Sequence, residues 1–250
     1  MDRLKDKIAI VSGAGGGIGS AICQRFAQEG AAIICVDINP STLDSTIAEI
    51  IRYGGKANKL LADISEEKTA VDAVKIAIDE YGGLDILVNN AVYDIALGPL
   101  TSISLDDWRR TMDVNLNSAF LMSKHSIPEM EIRGGGSIIH IASQLGRTAR
   151  PGRPWYCAQK AALINLAKAM ALDHAPQKIR VNSLSPGPVE TNRYLTNFSS
   201  QEEAQKTSNT LFDRLGKPDE IAAGAAFLAS DDASFVTGSD LLIDGGYTVP

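Results

Sequence analysis

The sequence predicts a single-domain, doubly wound α/β fold with about seven parallel strands and helices on both faces of the sheet. Short apolar segments rich in β-branched residues alternate with longer helical patterns along the whole chain. Several of the short segments are apolar at nearly every position, as strands covered on both faces are. Strands that alternate with helices form a parallel sheet, and right-handed crossovers then place helices on both sides of it.

Seven segments have the length and composition of strands. In chain order they are IAIV (8–11), AIICV (32–36), NKLLA (58–62), DILVN (85–89), SIIHIA (137–142), RVNSLS (180–185) and LLID (241–244). His140 lies in the middle of the fifth segment and is interpreted as a packed core histidine. No repeat and no low-complexity linker interrupts the series, so one domain covering residues 1–250 is predicted.

Helical patterns fill the intervals between these strands. IGSAICQRFAQEG places Ile18, Ile22 and Phe26 on one stripe and stops at a glycine. STLDSTIAEIIRYGG and SEEKTAVDAVKIAIDEYGG also end at glycines, and Ser65 is the predicted N-cap of the second. YCAQKAALINLAKAMALDHA is rich in strong helix formers and ends just before a proline.

Residues 191–216 break the alternation, because they are polar and lie between two predicted strands. Such an insertion is either a solvated loop or a lid over a site. A lid is favoured, because ligands of open α/β sheets bind at the carboxyl ends of the strands. Its candidate inner face consists of Tyr194, Leu195, Phe198, Leu211 and Phe212.

Composition and charge narrow the possible partners. Apolar and charged contents of 44% and 22% are ordinary for a globular protein, and the net charge of -6 argues against nucleic acid or an anionic membrane as partner. No apolar run approaches the roughly 20 residues that span a bilayer. Cys23, Cys35 and Cys157 have neither paired nor metal-like spacing, so reduced thiols, no metal site and a cytoplasmic location are predicted. A nucleophilic Cys157 is the alternative to a small packing residue, which is favoured.

A glycine-rich turn, SGAGGGIG, follows the first strand directly and opens a helix. Gly13, Gly17 and Gly19 permit a tight turn and a close backbone approach to a pyrophosphate. The helix that begins near Ile18 points its N-terminus at that anion. The strand–turn–helix context therefore predicts a dinucleotide-binding site.

Asp37 closes the second strand about twenty residues further on, where a ribose-binding acid is expected. Its carboxylate can accept hydrogen bonds from both adenosine ribose hydroxyls, and it repels a 2′-phosphate. No arginine or lysine in residues 38–40 or in the glycine turn offsets that repulsion. NAD is therefore predicted over NADP. The alternative is that Asp37 is merely a turn residue.

The stretch WYCAQKAA places Tyr156 and Lys160 four residues apart, so both side chains lie on one face of a helix. Taken alone, this spacing is common by chance. Together with the glycine turn, it resembles the short-chain dehydrogenase/reductase family, in that family's order and along essentially the whole chain. SGAGGGIG resembles the T-G-x-x-x-G-x-G turn with Ser12 in place of threonine, and NNAV at 89–92 resembles N-N-A-G with Val92 in place of glycine. The resemblance implies a Rossmann-like fold and hydride transfer between a nicotinamide cofactor and a small-molecule alcohol or carbonyl substrate.

The resemblance also implies roles for individual residues. Asn115 in MDVNLNSAF and Ser143 in IIHIASQLG complete a catalytic set with Tyr156 and Lys160. The implied cofactor contacts are Ser12, Gly13, Gly17, Ile18, Gly19, Asp37, Asn89, Tyr156 and Lys160, with Asp63 and Ile64 at the adenine and Val189 and Thr191 at the nicotinamide. A homotetramer is implied too, with the helix that carries Tyr156 and the C-terminal YTVP near subunit contacts.

The Tyr–Lys spacing has a physical purpose. A phenol with a free pKa of ~10 is a poor base near neutrality. An ammonium about 5 Å away stabilises the phenolate by ~3 kcal/mol at an effective dielectric constant near 20, which lowers the pKa by ~2 units. Tyr156 is therefore predicted as the general acid/base. By resemblance, Lys160 also binds the nicotinamide ribose, Ser143 orients the substrate oxygen, and Asn115 holds a water that connects Lys160 to solvent.

The substrate stays open. An active dehydrogenase of a secondary alcohol, sugar or related hydroxy compound is favoured over a 3-oxoacyl-type carbonyl reductase and over a catalytically idle NAD-sensing protein. QLGRTARPGRPW, just before Tyr156, holds Arg147, Arg150 and Arg153. One hypothesis is that one of them binds an anionic substrate group. The favoured interpretation is that all three face solvent or a neighbouring subunit.

Overall fold

A computed structural model describes residues 2–249, and its central feature is one fully parallel sheet. Within these residues the strands are β1 (Ile8–Ser12), β2 (Ala32–Asp37), β3 (Lys56–Leu61), β4 (Ile86–Asn89), β5 (Gly136–Ile141), β6 (Ile179–Pro186) and β7 (Asp240–Ile243). They lie in the order β3-β2-β1-β4-β5-β6-β7. Each strand end falls within two residues of the predicted segment, so the predicted doubly wound α/β fold is confirmed.

Helices cover both faces of this sheet. The described part of the chain contains α1 (Gly17–Gln28), α2 (Pro40–Arg52), α3 (Glu67–Tyr81), α4 (Leu105–Met112), α5 (Ser118–Ile132), α6 (Pro154–His174), α7 (Asn192–Leu195), α8 (Gln201–Lys206) and α9 (Pro218–Ala229). Because strand side chains alternate, Ala9 and Val11 pack with α1, α2 and α9, whereas Ile8 and Ile10 pack with α3, α5 and α6. None of the helices within residues 2–249 is long and apolar enough to cross a bilayer.

The start of α3 differs from the prediction. Ser65 is not its N-cap, since the cap position is Glu66 and the helix begins at Glu67. The carboxylate of Asp63 accepts hydrogen bonds from both the backbone N–H and the hydroxyl of Ser65. This local turn directs the serine oxygen away from the helix, which is how short polar side chains compete with capping.

The strand order reverses beside β1, which pairs with β2 on one side and with β4 on the other. Connections that leave in opposite directions open a crevice at the carboxyl ends of such strands. The glycine turn after β1 and the segments after β4, β5 and β6 all reach this edge. The segment 191–216 follows β6 and contains the short helices α7 and α8, so it is partly helical rather than a plain loop.

Candidate active site

A cavity of about 390 Å³ opens along this edge of the sheet. It runs from the glycine turn, past the segment after β4, to the start of α6 and the residues that follow β6. The predicted site residues that line it are Gly13, Gly17, Ile18, Gly19, Asp37, Ser143, Tyr156, Lys160, Val189 and Thr191. The fold thus brings most of the predicted set to one continuous cavity.

At one end, the glycine turn is held by hydrogen bonds to the end of β4. The hydroxyl of Ser12 accepts from the backbone N–H groups of Asn90 and Ala91, at 3.0 and 3.2 Å. The Asn90 amide donates in turn to the carbonyl oxygens of Ser12 and Gly13. A Cβ on Gly19 would lie 2.0 Å from the Gly13 carbonyl oxygen, so the turn closes only around a glycine. Ser12 therefore positions the turn, and Asn90, which the sequence motifs did not single out, lines the cavity.

Asp37 lies beside the same turn, at the carboxyl end of β2. Its Oδ2 accepts a hydrogen bond from the Gly15 N–H at 2.8 Å, and its Oδ1 accepts from the Asn39 N–H at 2.9 Å. Among the described residues that line the cavity, the cationic ones are Lys160 and Arg193, which lie at the opposite end. The Asp37 end therefore presents a carboxylate without a compensating cation.

Besides Ser12, three predicted cofactor residues lie outside the cavity lining. The Asp63 carboxylate pairs with Arg110, at 2.7 Å, and Ile64 packs into the core between the sheet and α3. Asn89 turns toward the core, where its amide lies 3.1 Å from Nδ1 of His140. Neighbouring side chains of a strand point to opposite faces, which is why Asn90 rather than Asn89 faces the cavity. Contacts from Asp63, Ile64 and Asn89 to a cofactor stay predictions.

His140 is fully buried, in agreement with its interpretation as a core residue. Its pKa falls to about 4, because burial disfavours the charged ring and the charge of Lys160 opposes protonation. A neutral ring at working pH is therefore expected here.

At the other end of the cavity, α6 presents Tyr156 and Lys160 on one face, next to Ser143 at the end of β5. The Lys160 Nζ donates to the carbonyl oxygen of Ile141 at 2.6 Å and lies 5.6 Å from the centroid of the Tyr156 ring. Tyr156 and Lys160 are both buried. The hydroxyl of Ser143 donates to Oε1 of Gln144 at 2.7 Å. The sheet edge thus fixes the ammonium, and the helix fixes the phenol beside it.

Opposing effects set the pKa of Tyr156. Burial raises the pKa of the phenol, while the charges of Lys160 and Arg193 and an interaction with Ser143 lower it. The charges prevail, so the pKa of Tyr156 lies below its ordinary value. Burial also lowers the pKa of Lys160. A phenol tuned toward its basic form suits general acid/base chemistry near neutrality.

Asn115 lies in a π-helical turn, Asp113–Asn117, that joins α4 to α5. Such turns occur often at functional sites. Its Oδ1 accepts from the Tyr93 N–H at 2.6 Å, and its amide donates to the Tyr93 carbonyl oxygen and to Gln159. The side chain therefore ties the segment after β4 to α6, one residue before Lys160. A water between Asn115 and Lys160 stays a prediction.

Arg193, on α7, is a candidate that the sequence motifs missed. Its Nη1 lies 2.6 Å from Oδ2 of Asp94, and its guanidinium carbon lies 5.7 Å from the centroid of the Tyr156 ring. No spacing rule marks this residue, because its contact with Tyr156 exists only in the folded chain. The one available signal was its place two residues after Thr191.

Two of the three arginines before Tyr156, Arg147 and Arg153, have partners within the described residues. Arg147 pairs with Asp240 at the start of β7, at 2.6 Å. Arg153 donates to Asn197 at 3.2 Å. The Arg153–Asn197 bond lies at the exposed surface, and the interpretation that all three arginines face solvent or a neighbouring subunit stays a prediction.

The predicted inner face of that segment is correct only in part. Tyr194 lines the cavity, and its ring packs on Phe198 at a centroid distance of 5.1 Å. Leu211 and Phe212 are 61% and 70% exposed, so they do not belong to an inner face. Val92, which stands where the family motif has glycine, lines the cavity and packs in the cluster that contains Tyr156.

Comparisons with known proteins agree with this geometry. A family model described as Enoyl-(Acyl carrier protein) reductase matches residues 13–248. The uncharacterized oxidoreductase YxbG of Bacillus subtilis (strain 168) is 43% identical over 264 residues, covering 100% of this chain and 95% of that protein. Cyclohexanol dehydrogenase of Acinetobacter sp. (strain SE19) is 37% identical over 247 residues, covering 99% and 97%.

A solved structure of 7 alpha-hydroxysteroid dehydrogenase, complexed with NADH and 7-oxo glycochenodeoxycholic acid, superimposes with a TM-score of 0.92. It is 36% identical, and the match covers 98% of this chain and 95% of that one. The relatives, the shared fold and the cavity agree with one another. The chain belongs to the short-chain dehydrogenase/reductase family and is an oxidoreductase that transfers hydride between CH–OH donors and nicotinamide.

Proposed function

We propose that the protein is an NAD-dependent dehydrogenase of a secondary alcohol, sugar or related hydroxy compound, with Tyr156 as general acid/base. The observation that carries this proposal is the position of Tyr156 and Lys160, on one face of α6 at the end of a cavity that begins at the glycine turn. The printed activity of the Acinetobacter relative, cyclohexanol dehydrogenase, supports a secondary alcohol as donor.

The glycine-turn end of the cavity fits a dinucleotide. The N-cap of α1 is Gly16, no side chain caps the helix, and its first turn carries no acidic residue. The N–H groups of the first helical turn, which begins at Gly17, are therefore available to bind a pyrophosphate at the positive end of the helix dipole. Gly13, Gly17, Ile18 and Gly19 would surround it. Bound NAD would accept the hydride that leaves the alcohol carbon.

The choice of NAD over NADP follows from Asp37. A ribose with two free hydroxyls can donate to its carboxylate, whereas a 2′-phosphate would meet a like charge. The cationic residues that line the cavity, Lys160 and Arg193, lie at the catalytic end and do not offset that repulsion. Val189 and Thr191, which line the cavity next to Tyr156, are the proposed contacts for the nicotinamide.

The mechanism of proton transfer rests on this chain's own residues. The Tyr156 oxygen takes the proton of the alcohol as the hydride leaves the carbon, and the nearby ammonium of Lys160 stabilises the phenolate. The Ile141 carbonyl holds that ammonium in place. The hydroxyl of Ser143, released from Gln144, would donate to the substrate oxygen and orient it. Asn115 donates to the side chain of Gln159, next to Lys160 on α6, and is proposed to hold the water through which the proton leaves.

The segment 191–216 is proposed as a lid of this one domain, because its residues Thr191 and Tyr194 line the cavity at the sheet edge.

A homotetramer is proposed from the family, supported by Phe120 on α5 and Leu172 on α6, which are 55% and 80% exposed. The last residue of YTVP, Pro250, lies outside the described residues. Light scattering of the purified protein tests the oligomeric state.

A cytoplasmic location is proposed from the reduced cysteines.

A substrate screen tests the function directly. The purified protein is assayed for NADH absorbance with secondary alcohols, sugars and hydroxy compounds, and in the reverse direction with 3-oxoacyl thioesters, using NAD and NADP in parallel. Turnover of an alcohol with NAD that is lost in Tyr156→Phe is the expected result. NAD binding without turnover of any compound would support the NAD-sensing alternative, and exclusive reduction of acyl ketones would support the reductase.

A further inference from the structure

We propose that Arg193 is a second positioning cation for the catalytic phenol, delivered to Tyr156 by the docked helix α7 and held there by Asp94. The proposal rests on the proposed function, because it gives Arg193 a task only if Tyr156 is the general acid/base. It goes beyond the Tyr–Lys pair, which accounts for one cation at the phenol and leaves the second unexplained.

The first support is that Lys160 and Arg193 lie at similar distances from the Tyr156 ring. The Lys160 Nζ lies 5.6 Å and the Arg193 guanidinium carbon lies 5.7 Å from the centroid of the same ring. Lys160 belongs to α6, whereas Arg193 comes from α7 and lines the cavity. The phenol therefore has a cation from its own helix and another from the segment that follows β6, in addition to Arg153, whose guanidinium carbon lies 5.9 Å from the ring centroid.

Asp94 explains why Arg193 points at the phenol rather than into solvent. The arginine side chain is 43% exposed, so solvent is available to it as an alternative environment. A carboxylate oxygen of Asp94, in the segment after β4, accepts from its Nη1 at 2.6 Å. The other oxygen of Asp94 is buried and has no hydrogen-bond partner among the described residues. The hydrogen bond from Arg193 is therefore the one observed for the Asp94 carboxylate, and it orients the guanidinium.

Contacts of α7 make the position of Arg193 depend on both ends of the cavity. The Thr191 hydroxyl accepts from the Tyr194 N–H and caps α7. The methyl group of Thr191 packs so close to the glycine turn that a Cβ on Gly17 would lie 2.7 Å from it. A ligand seated at the glycine turn would therefore lie next to the residue that caps α7.

The direction of the effect on acidity follows from charge. A cation 4–6 Å from an ionisable group favours its anionic form and lowers its pKa by about 1–3 units. Asp94 and solvent partly offset the charge of Arg193, so about one unit is expected from it. Burial raises the pKa of Tyr156, and the charges of Lys160 and Arg193 lower it. The other titratable or charged groups around the phenol and the lysine are Asp94, His140, Arg153, Cys157 and Tyr247.

In alcohol oxidation Tyr156 must be deprotonated, so the rate rises as the pH rises through its pKa. Removal of Arg193 raises that pKa and moves the rising limb of the profile to higher pH. A residue with a merely structural role would lower the rate at every pH and leave the limb in place.

The test compares the pH dependence of kcat/KM for alcohol oxidation by the NAD-loaded enzyme in Arg193→Gln, Arg193→Lys and Arg153→Gln. Arg153 is the matched control, because its guanidinium lies 5.9 Å from the same ring but bonds to Asn197. Arg193→Gln should move the limb up by about one pH unit, and Arg193→Lys should keep it within about half a unit of the parent. Arg153→Gln should shift it less than Arg193→Gln. An unmoved limb in Arg193→Gln, or equal shifts in both glutamine variants, overturns the proposal.

A second measurement does not depend on turnover. Tyrosinate absorbance is titrated in the NAD complex, and the curve of Tyr156→Phe is subtracted to isolate Tyr156. The isolated transition should move up in Arg193→Gln, even if that variant turns over slowly. If Tyr156→Phe retains full activity, the proposed function fails. If Tyr156→Phe is inactive and the transition does not move in Arg193→Gln, the role of Arg193 alone fails.

Discussion

The two ends of the cavity are built in different ways. The glycine-turn end consists of a short run, residues 12–19, together with Asp37 and Asn90, and much of its shape is backbone. The catalytic end combines side chains from distant segments, namely Asp94, Ser143, Tyr156, Lys160 and Arg193. Cofactor binding is therefore encoded locally, whereas acid–base chemistry depends on the sheet edge that brings these segments together.

The two ends are also in contact, at Gly17 and Thr191. A change at one end is expected to affect the other mainly through this contact. Variants that separate NAD affinity from turnover test how independent the ends are, and the predictions below are arranged from the largest expected effect to the smallest.

Removal of the Tyr156 hydroxyl should abolish most of the turnover at the catalytic end and leave cofactor binding at the glycine-turn end largely unchanged. Tyr156→Phe loses the group that moves the proton, so kcat should fall by about 10²–10⁴-fold. The ring and its packing in the buried cluster stay, so the affinity for NAD should change far less. Steady-state rates and NAD titration by fluorescence provide the two numbers. A parallel loss of both would show that the ends do not function separately.

The glycine turn should not tolerate a side chain at Gly19 but should tolerate one at Gly16. A Cβ on Gly19 would lie 2.0 Å from the Gly13 carbonyl oxygen and 2.6 Å from the Asn90 amide, so the backbone must shift. Such overpacking costs typically about 1–3 kcal/mol of unfolding free energy. A Cβ on Gly16 would meet its nearest atom at 3.5 Å, an ordinary contact.

Denaturant unfolding of Gly19→Ala and Gly16→Ala, both without cofactor, provides the comparison. The first should be destabilised by the amount above and the second by less than about 1 kcal/mol. Equal destabilisation of the two variants would mean that the local glycine geometry does not define this end.

The same contrast explains how much the sequence could predict. The strands and the glycine turn depend on local composition and spacing, and they lie where the sequence places them. The sequence pattern does not predict helices α4, α5 and α9, although α9 is largely apolar and buried. The patterns of α5 and α9 lack a clear amphipathic stripe, and α4 is amphipathic but only 8 residues long.

At the catalytic end, motif spacing locates Ser143, Tyr156 and Lys160, because each belongs to a short motif that resembles one of the family's. It did not locate Arg193, whose partner Asp94 is 99 residues away in the chain. The motif also points to Asn89 rather than Asn90. The direction of a side chain at the last residue of a strand depends on how the chain leaves the sheet, which the motif does not show. Pairings made only by tertiary packing have no local signal.

Asp37 should control cofactor choice at the glycine-turn end. Asp37→Ser removes the like charge that opposes a 2′-phosphate and one charged acceptor of the ribose hydroxyls. A hydrogen bond to a charged group contributes about 1.5–3 kcal/mol, so the preference for NAD over NADP should fall by roughly ten- to a hundredfold. The ratio of kcat/KM with the two cofactors measures it.

Asp37→Asn is the matched control, because it keeps a side-chain oxygen for the Gly15 N–H while it loses the charge. A preference that falls in the serine variant alone would point to the shape of the turn rather than to charge. An unchanged ratio in both variants would contradict the role of Asp37.

The smallest effect is expected where the two ends meet. Thr191→Val keeps the shape of the side chain beside Gly17 but removes the hydroxyl that caps α7. Loss of a cap costs about 1 kcal/mol, so kcat/KM should fall roughly fivefold as α7, with Arg193, docks less firmly. Thr191→Ser keeps the hydroxyl and should retain most of the parent rate.

The division of this loss between the two ends decides how they are connected. If the valine variant binds NAD as the parent does but turns over more slowly, α7 belongs to the catalytic end and the cap acts through Arg193. If NAD affinity falls by the same factor, the contact between Thr191 and Gly17 transmits the change to the glycine turn. An impaired serine variant beside a valine variant as active as the parent would assign the effect to methyl packing and remove the cap from the argument.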